Sequence, residues 1–246
     1  MKELTIMDGI IIFSYSIVCI CLFIASGFLF FKSRGKSKKV RNYLLAIALF
    51  FLLFGISRTT MFIFELTFPE DFVWNISVHD FDSIFQKNPE IAVRHDIVWR
   101  FTTGIGAFGV AILMFVLERQ ILEKKTKYVL TIITLITVIP ALILGVEGKD
   151  EVGFVRIVLY IGNFLMVAIP LIYLYLGIKT SGDTRMRALG AMTGMIILFT
   201  GIVFNSSFGK TQLEGLYGIP GLQITYILYG LCTAIGIFVY LKSIQY

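Results

Sequence analysis

Charge is what this sequence has least of. Only 15% of its 246 residues are Asp, Glu, Lys or Arg, while 57% are hydrophobic, and that leaves too little polar surface to cover a water-soluble domain. The scarcity excludes a sizeable soluble enzyme domain and a nucleic-acid-binding module. Three cysteines, all inside apolar runs, exclude a disulfide scaffold. Cys19 and Cys21, two apart on one helix, point to different faces. The two histidines, His79 and His95, both fall beside one connection, so no intramembrane set of metal ligands is expected. Proline is also rare, at five.

What the chain has in abundance is long apolar runs. Charge-free stretches predict seven membrane-crossing helices near 9–31, 43–67, 96–118, 128–147, 153–177, 188–208 and 221–241, each about the 20 residues that span the hydrocarbon core. The expected fold is an all-α, seven-helix transmembrane bundle forming a single domain over residues 1–246. The first run meets a basic stop-transfer segment and lacks a cleavage pattern, so it is expected to remain in the mature protein. Fourteen of the 22 Lys and Arg residues flank one set of helix ends (Lys32 to Arg41, Arg119 to Lys127, Lys179 to Arg187, and Lys242). Five (Lys2, Lys87, Arg94, Lys149 and Lys210) flank the other. That asymmetry puts the amino terminus outside and the carboxyl terminus inside a multi-pass plasma-membrane protein. The net charge of +6 then belongs to anchoring in the bilayer and to its anionic head groups, with no nucleic-acid partner implied.

Helices one and five share a direction, as do three and seven, so a three-plus-one-plus-three repeat is topologically allowed. Lys32-Ser33-Arg34-Gly35 aligns with Lys179-Thr180-Ser181-Gly182, and Gly55-Ile56 with Gly201-Ile202. Gly190 with Gly194, the Gly104, Gly106 and Gly109 series, and Gly230 with Ala234 read as close-packing positions between helices. Pro140 and Pro170 read as kinks. Asn75-Ile76-Ser77 is a formal glycosylation sequon in the outer connection, where Phe72, Trp74, Phe81 and Phe85 suggest that the segment caps the bundle or lies at the membrane interface.

The candidate site comes from ionisable and polar groups inside the expected helices, each of which costs free energy in hydrocarbon. Arg58 and Glu65 fall seven apart on one face of helix two. Asp96 and Arg100 make an i,i+4 pair at the top of helix three beside Trp99. Arg156 lies about one turn into helix five and Asn163 deeper, while Asn205 and Tyr226 sit near the outer ends of helices six and seven. At this level two accounts fit. One is an ion-pair network, Arg58 with Glu65 or Asp96 and Arg156 with Glu151. The other is an outward-open pocket whose arginines bind the head of a small anionic or amphipathic ligand.

Known seven-helix families offer little. Helix seven has only Lys242, at its inner edge, which argues against a retinal protein. Glu118-Arg119 resembles the acid-arginine pair of rhodopsin-class G-protein-coupled receptors, but Gln120 follows it and no Asn-Pro-x-x-Tyr pattern occurs; the pair reads as an interfacial snorkelling contact. The general plan is similar to the seven-helix sensing modules that precede some prokaryotic histidine kinases. The expected function is therefore a non-enzymatic receptor or sensor, without cofactor or metal, signalling through a cytoplasmic or membrane partner. The alternative is a small transporter or channel using the same outer vestibule.

Overall fold

The computed structural model describes residues 4–68, 73–76, 84, 86–123, 125–143 and 165–244. Among them the only regular secondary structure is helix. We number the helices α1 (Ile6–Ser33), α2 (Lys38–Leu66), α3 (Pro89–Gln120), α4 (Val129–Ile143), α5 (Ala168–Lys179), α6 (Gly182–Phe204), α7 (Ser207–Tyr217) and α8 (Ile219–Ser243), with a short 3-10 turn, Val73–Asn75, between α2 and α3. Five of them, α1, α2, α3, α6 and α8, are long and apolar enough to cross a membrane, and α4 and α5 are shorter apolar helices. The protein is an all-helical membrane protein.

Its surface shows the same thing. Phe13, Ile20, Ile24 and Phe31 recur along one face of α1 and are all exposed, an apolar stripe that would be a liability in water and is ordinary against lipid. The opposite face, Ile11, Tyr15, Val18, Leu22, Ala25 and Leu29, is fully buried at the three-to-four spacing of a packed helix, and it meets α2 and α8. α2 also packs on α3, α3 on α4, α8 on α6 and α6 on α5. The strongly basic connections, Lys32 to Arg41 and Arg119 to Lys127, join helices at one end of the bundle, which we call the basic end.

Local sequence sets the boundaries. α1 starts in a capping box, with the Thr5 side chain accepting from the Asp8 backbone and the Asp8 side chain from Thr5. Pro89 opens α3, where its missing N–H costs nothing. Gly218, at φ 66°, supplies the left-handed step between α7 and α8. The expected helix 153–177 is seen from Ala168 onward, with Met166 and Val167 in a turn. Pro170 has no N–H for the Met166 carbonyl, which instead accepts from Ile169 at 3.1 Å, so the interruption falls where the sequence places a kink. The unpredicted element is α7: the connection expected between helices six and seven is a short amphipathic helix. Pro140 lies within the backbone of α4, and Phe72, Phe81 and Phe85 fall outside the described residues.

Gly194, Gly109 and Gly230, expected to bring helices together, do so. A Cβ at Gly194 would lie 2.5 Å from the Tyr240 backbone nitrogen, and one at Gly236 2.5 Å from that of Leu198, so α6 and α8 meet backbone to backbone. Gly109 stands against Phe50 and Leu53 of α2, and Gly230 against Ser14 of α1. The two glycines that a repeat would equate have different neighbours: Gly55 faces Leu22 and Phe23 of α1, whereas Gly201 faces Cys232 and Thr233 of α8.

Candidate functional site

At the end of the bundle opposite the basic connections, polar side chains from α1, α2, α7 and α8 converge beneath the 3-10 turn. The turn is held by one carboxylate. Asp8, fully buried, accepts at Oδ2 from the Thr5 backbone (2.9 Å) and hydroxyl (2.6 Å), and at Oδ1 from Trp74 Nε1 (2.7 Å) and Asn75 Nδ2 (3.1 Å). Asn75 Oδ1 in turn accepts from Gln223 Nε2 of α8 at 2.9 Å. A helix cap thus doubles as the anchor of a plug, and fully buried Trp74 closes the end of the bundle as the aromatic content of that segment suggests. The sequon asparagine has both polar atoms engaged, so attachment of a glycan there would break the plug.

Directly under Trp74 lies Tyr226, edge-on at 5.8 Å between ring centroids. The Tyr226 hydroxyl accepts from the Lys210 ammonium at 2.7 Å, and the same ammonium is 4.0 Å from Glu65 Oε1. Glu65 is 1% exposed. One to two turns deeper, the Arg58 guanidinium lies over the rings of Phe54 (4.7 Å) and Tyr229 (5.7 Å), a cation–π arrangement that replaces part of its lost hydration. Tyr15 of α1 completes the wall, stacked on Phe62 at 4.6 Å and edge-on to Tyr229 at 5.4 Å. Arg58 Nε, Glu65 Oε2 and the Tyr15 and Tyr229 hydroxyls are buried and lack a hydrogen-bond partner among the described residues. Buried polar groups are nearly always bonded, so four such atoms around one spot mark a place with hydrogen bonds still to make.

The electrostatics are lopsided. Among the described residues two cations, Arg58 and Lys210, face one carboxylate, Glu65, while Asp8 is taken up by four neutral donors. Burial pushes the Lys210 ammonium below the ordinary lysine range, the attraction of Glu65 opposes that shift, and the repulsion of Arg58 adds to it.

No known protein family, curated protein or solved structure matches the chain. The site therefore has to be judged on its chemistry.

Of the residues singled out from sequence, the structure brings Arg58, Glu65 and Tyr226 together. The sequence pairs Arg58 with Glu65 or Asp96; the structure puts the Lys210 ammonium of α7, which packs on α8, 4.0 Å from Glu65, and lays the Arg58 guanidinium over the rings of Phe54 and Tyr229. Trp99 and Arg100 are half-buried on α3. Asn205 caps α6, with its Oδ1 buried and unpartnered among the described residues. Asp96 is in the helical backbone of α3, its side chain outside the described residues, as are Arg156 and Asn163 altogether.

Sequence reasoning missed Asp8, Lys210, Tyr15 and Tyr229. Thr5-x-x-Asp8 is a helix-start pattern that could have flagged Asp8. Nothing local distinguishes Lys210 from a solvated loop lysine. The Glu118-Arg119 reading also needs correction. Glu118 is fully buried and caps α4, accepting from Thr126 Oγ1 (2.6 Å), from the backbone N–H of Leu130 (3.1 Å) and Thr131 (2.9 Å), and from the Thr131 hydroxyl. It does not snorkel, because the unsatisfied N–H groups of a helix start are better partners for a carboxylate than the interface.

Proposed function

We propose that this protein is a plasma-membrane receptor or sensor with seven spans, its amino terminus outside, that binds a small anionic or amphipathic ligand in the outer leaflet. The observation that carries the proposal is that, among the described residues, Arg58 and Lys210 share the single carboxylate Glu65 in a layer where Arg58 Nε and the Tyr15 and Tyr229 hydroxyls have no hydrogen-bond partner. A carboxylate or similar oxyanion would balance the second cation and accept from all three donors, while Phe54, Phe62 and the tyrosine rings hold an apolar portion. The span count and orientation rest on the helix pattern and the basic asymmetry.

The same arrangement supplies a route inward. α8 carries Tyr226 and Tyr229 at the site, and Tyr240 near the basic end. There Tyr240 is bonded to Tyr173 of α5 (2.6 Å), and Tyr173 to Tyr43 of α2 (2.7 Å). A ligand that displaces α8 at one end disturbs a buried three-helix hydroxyl chain at the other, next to the loops where a signalling partner would dock. Thermal stability of the purified protein against a panel of carboxylates and other anions tests the binding step, with Arg58→Gln and Lys210→Gln alongside. A stabilisation lost in folded variants supports the proposal; none with any compound refutes it.

One observation favours a second reading. Thr233, fully buried and without a hydrogen-bond partner among the described residues, continues the polar face of α8 below Tyr229, and with Tyr240 it extends hydroxyls toward the inner end, as a transporter path would. Specific uptake into liposomes would put transport first.

A further inference from the structure

We propose a second site: a groove between α2 and α3 at the basic end that binds one acidic phospholipid from the adjoining leaflet. The groove has a volume of about 220 Å³, and its lining is sorted by chemistry. Asn42, Arg119 and Gln120 stand at the end nearest the basic connections, and Leu49, Ile112 and Phe115 form the wall deeper in. From Arg119 to Ile112 is seven residues, about 10 Å along the helix, room for the upper part of an acyl chain below a head group at the level of Arg119.

Three features select an acidic lipid over a neutral one. Among the described residues no carboxylate lines the groove. The adjacent Glu118 cannot neutralise Arg119, since it is buried and spent on the start of α4, and among the described residues Arg119 forms no ion pair. Lys38, Lys39 and Arg41 lie within a turn of Asn42 on α2 and add to the positive potential. One side of the groove is also firm: Phe115 is stacked on Tyr128 at 5.2 Å between ring centroids. A planar guanidinium beside two side-chain amides suits a phosphodiester, which accepts from both. The site lies at the other end of the bundle from the Arg58 cluster and does not depend on it.

The test uses the full chain in nanodiscs of a zwitterionic phospholipid, with and without added phosphatidylglycerol, read by native mass spectrometry for retained lipid and by melting temperature. Wild type is expected to retain one phosphatidylglycerol in preference to the neutral lipid and to melt higher when it is present. Arg119→Gln should lower that preference roughly fivefold or more while melting like wild type in neutral lipid. Arg185→Gln, a basic residue of the same end on α6, should keep it. Leu49→Trp, which fills the groove without touching charge, should lose it as Arg119→Gln does. Equal retention of the two lipids by wild type, or an undiminished preference in Arg119→Gln, would overturn the proposal. So would a soluble glycerophosphate that reproduces the full stabilisation, since the occupant would then be a free phosphate.

Discussion

Replacing Asp8 tests whether the plug over the site is held as described. Asp8→Ala removes an acceptor that serves four donors, two of them from the turn: Trp74 Nε1 at 2.7 Å and Asn75 Nδ2 at 3.1 Å. Loss of the α1 cap costs about 1 kcal/mol, and removing the charged acceptor of the fully buried Trp74 indole N–H costs about 1–3 kcal/mol more. The total is about 2–4 kcal/mol, a large share of any protein's stability. Part of that would follow from fraying α1 alone, so the informative quantity is the coupling between Asp8 and Trp74. Trp74→Phe keeps an aromatic ring against Tyr226 and removes only the donor. If the bond is charge-assisted and buried, the double-mutant cycle should return about 1.5–3 kcal/mol, measured by reversible denaturant unfolding in detergent micelles. Additive single effects, within about 0.5 kcal/mol, would mean that Asp8 caps its own helix and that the turn is held by something else.

Four further outcomes follow from the geometry. Gly194→Ala and Gly236→Ala should each lower the melting temperature, since each added methyl group meets backbone at 2.5 Å and overpacking costs about 1–3 kcal/mol. Gly27→Ala, with nothing within 4 Å, should be neutral or stabilising by up to about 1 kcal/mol; equal effects at all three positions would contradict the α6–α8 contact. Glu118→Ala should speed amide exchange at Leu130 and Thr131 with little effect at the start of α6, and unchanged protection there would remove Glu118 as the cap of α4. Binding of an anion at the Arg58 cluster should be strongest where Lys210 is protonated and should weaken as pH rises through its lowered pKa, below the range of a free lysine. Lys210→Arg should flatten that fall, and an identical pH profile in the two proteins would exclude Lys210 from the binding step.

Which parts of this were legible in the sequence follows from the range of the interactions. Helices set by their own apolar content, such as α1, α2 and α8, were placed to within a few residues because hydrophobic length in a membrane leaves few alternatives. Their packing was partly legible too, since Gly194 and Gly230 have no side chain to spend elsewhere. α7 was not, because its amphipathic pattern is short and follows a capping serine that also suits a loop. The cost of burying an ionisable group draws attention to Arg58 and Glu65 in the sequence, but depth along a helix says nothing about which neighbour arrives. Lys210 comes from a segment 145 residues beyond Glu65 in sequence, and Asp8 meets Trp74 across 66. Such partners are fixed by tertiary packing, and a single sequence carries no local trace of them.

The most direct test of the central claim is the melting temperature of the purified full chain over a concentration series of small carboxylates, sulfonates and phosphates, beside Arg58→Gln and Lys210→Gln. An anion that fills the cluster at about a hundred times its dissociation constant should stabilise wild type by about 2.7 kcal/mol through mass action. Both variants should fold and lose that gain. If no anion shifts wild type and both variants melt far below it, the two cations hold the bundle together and do not receive a ligand.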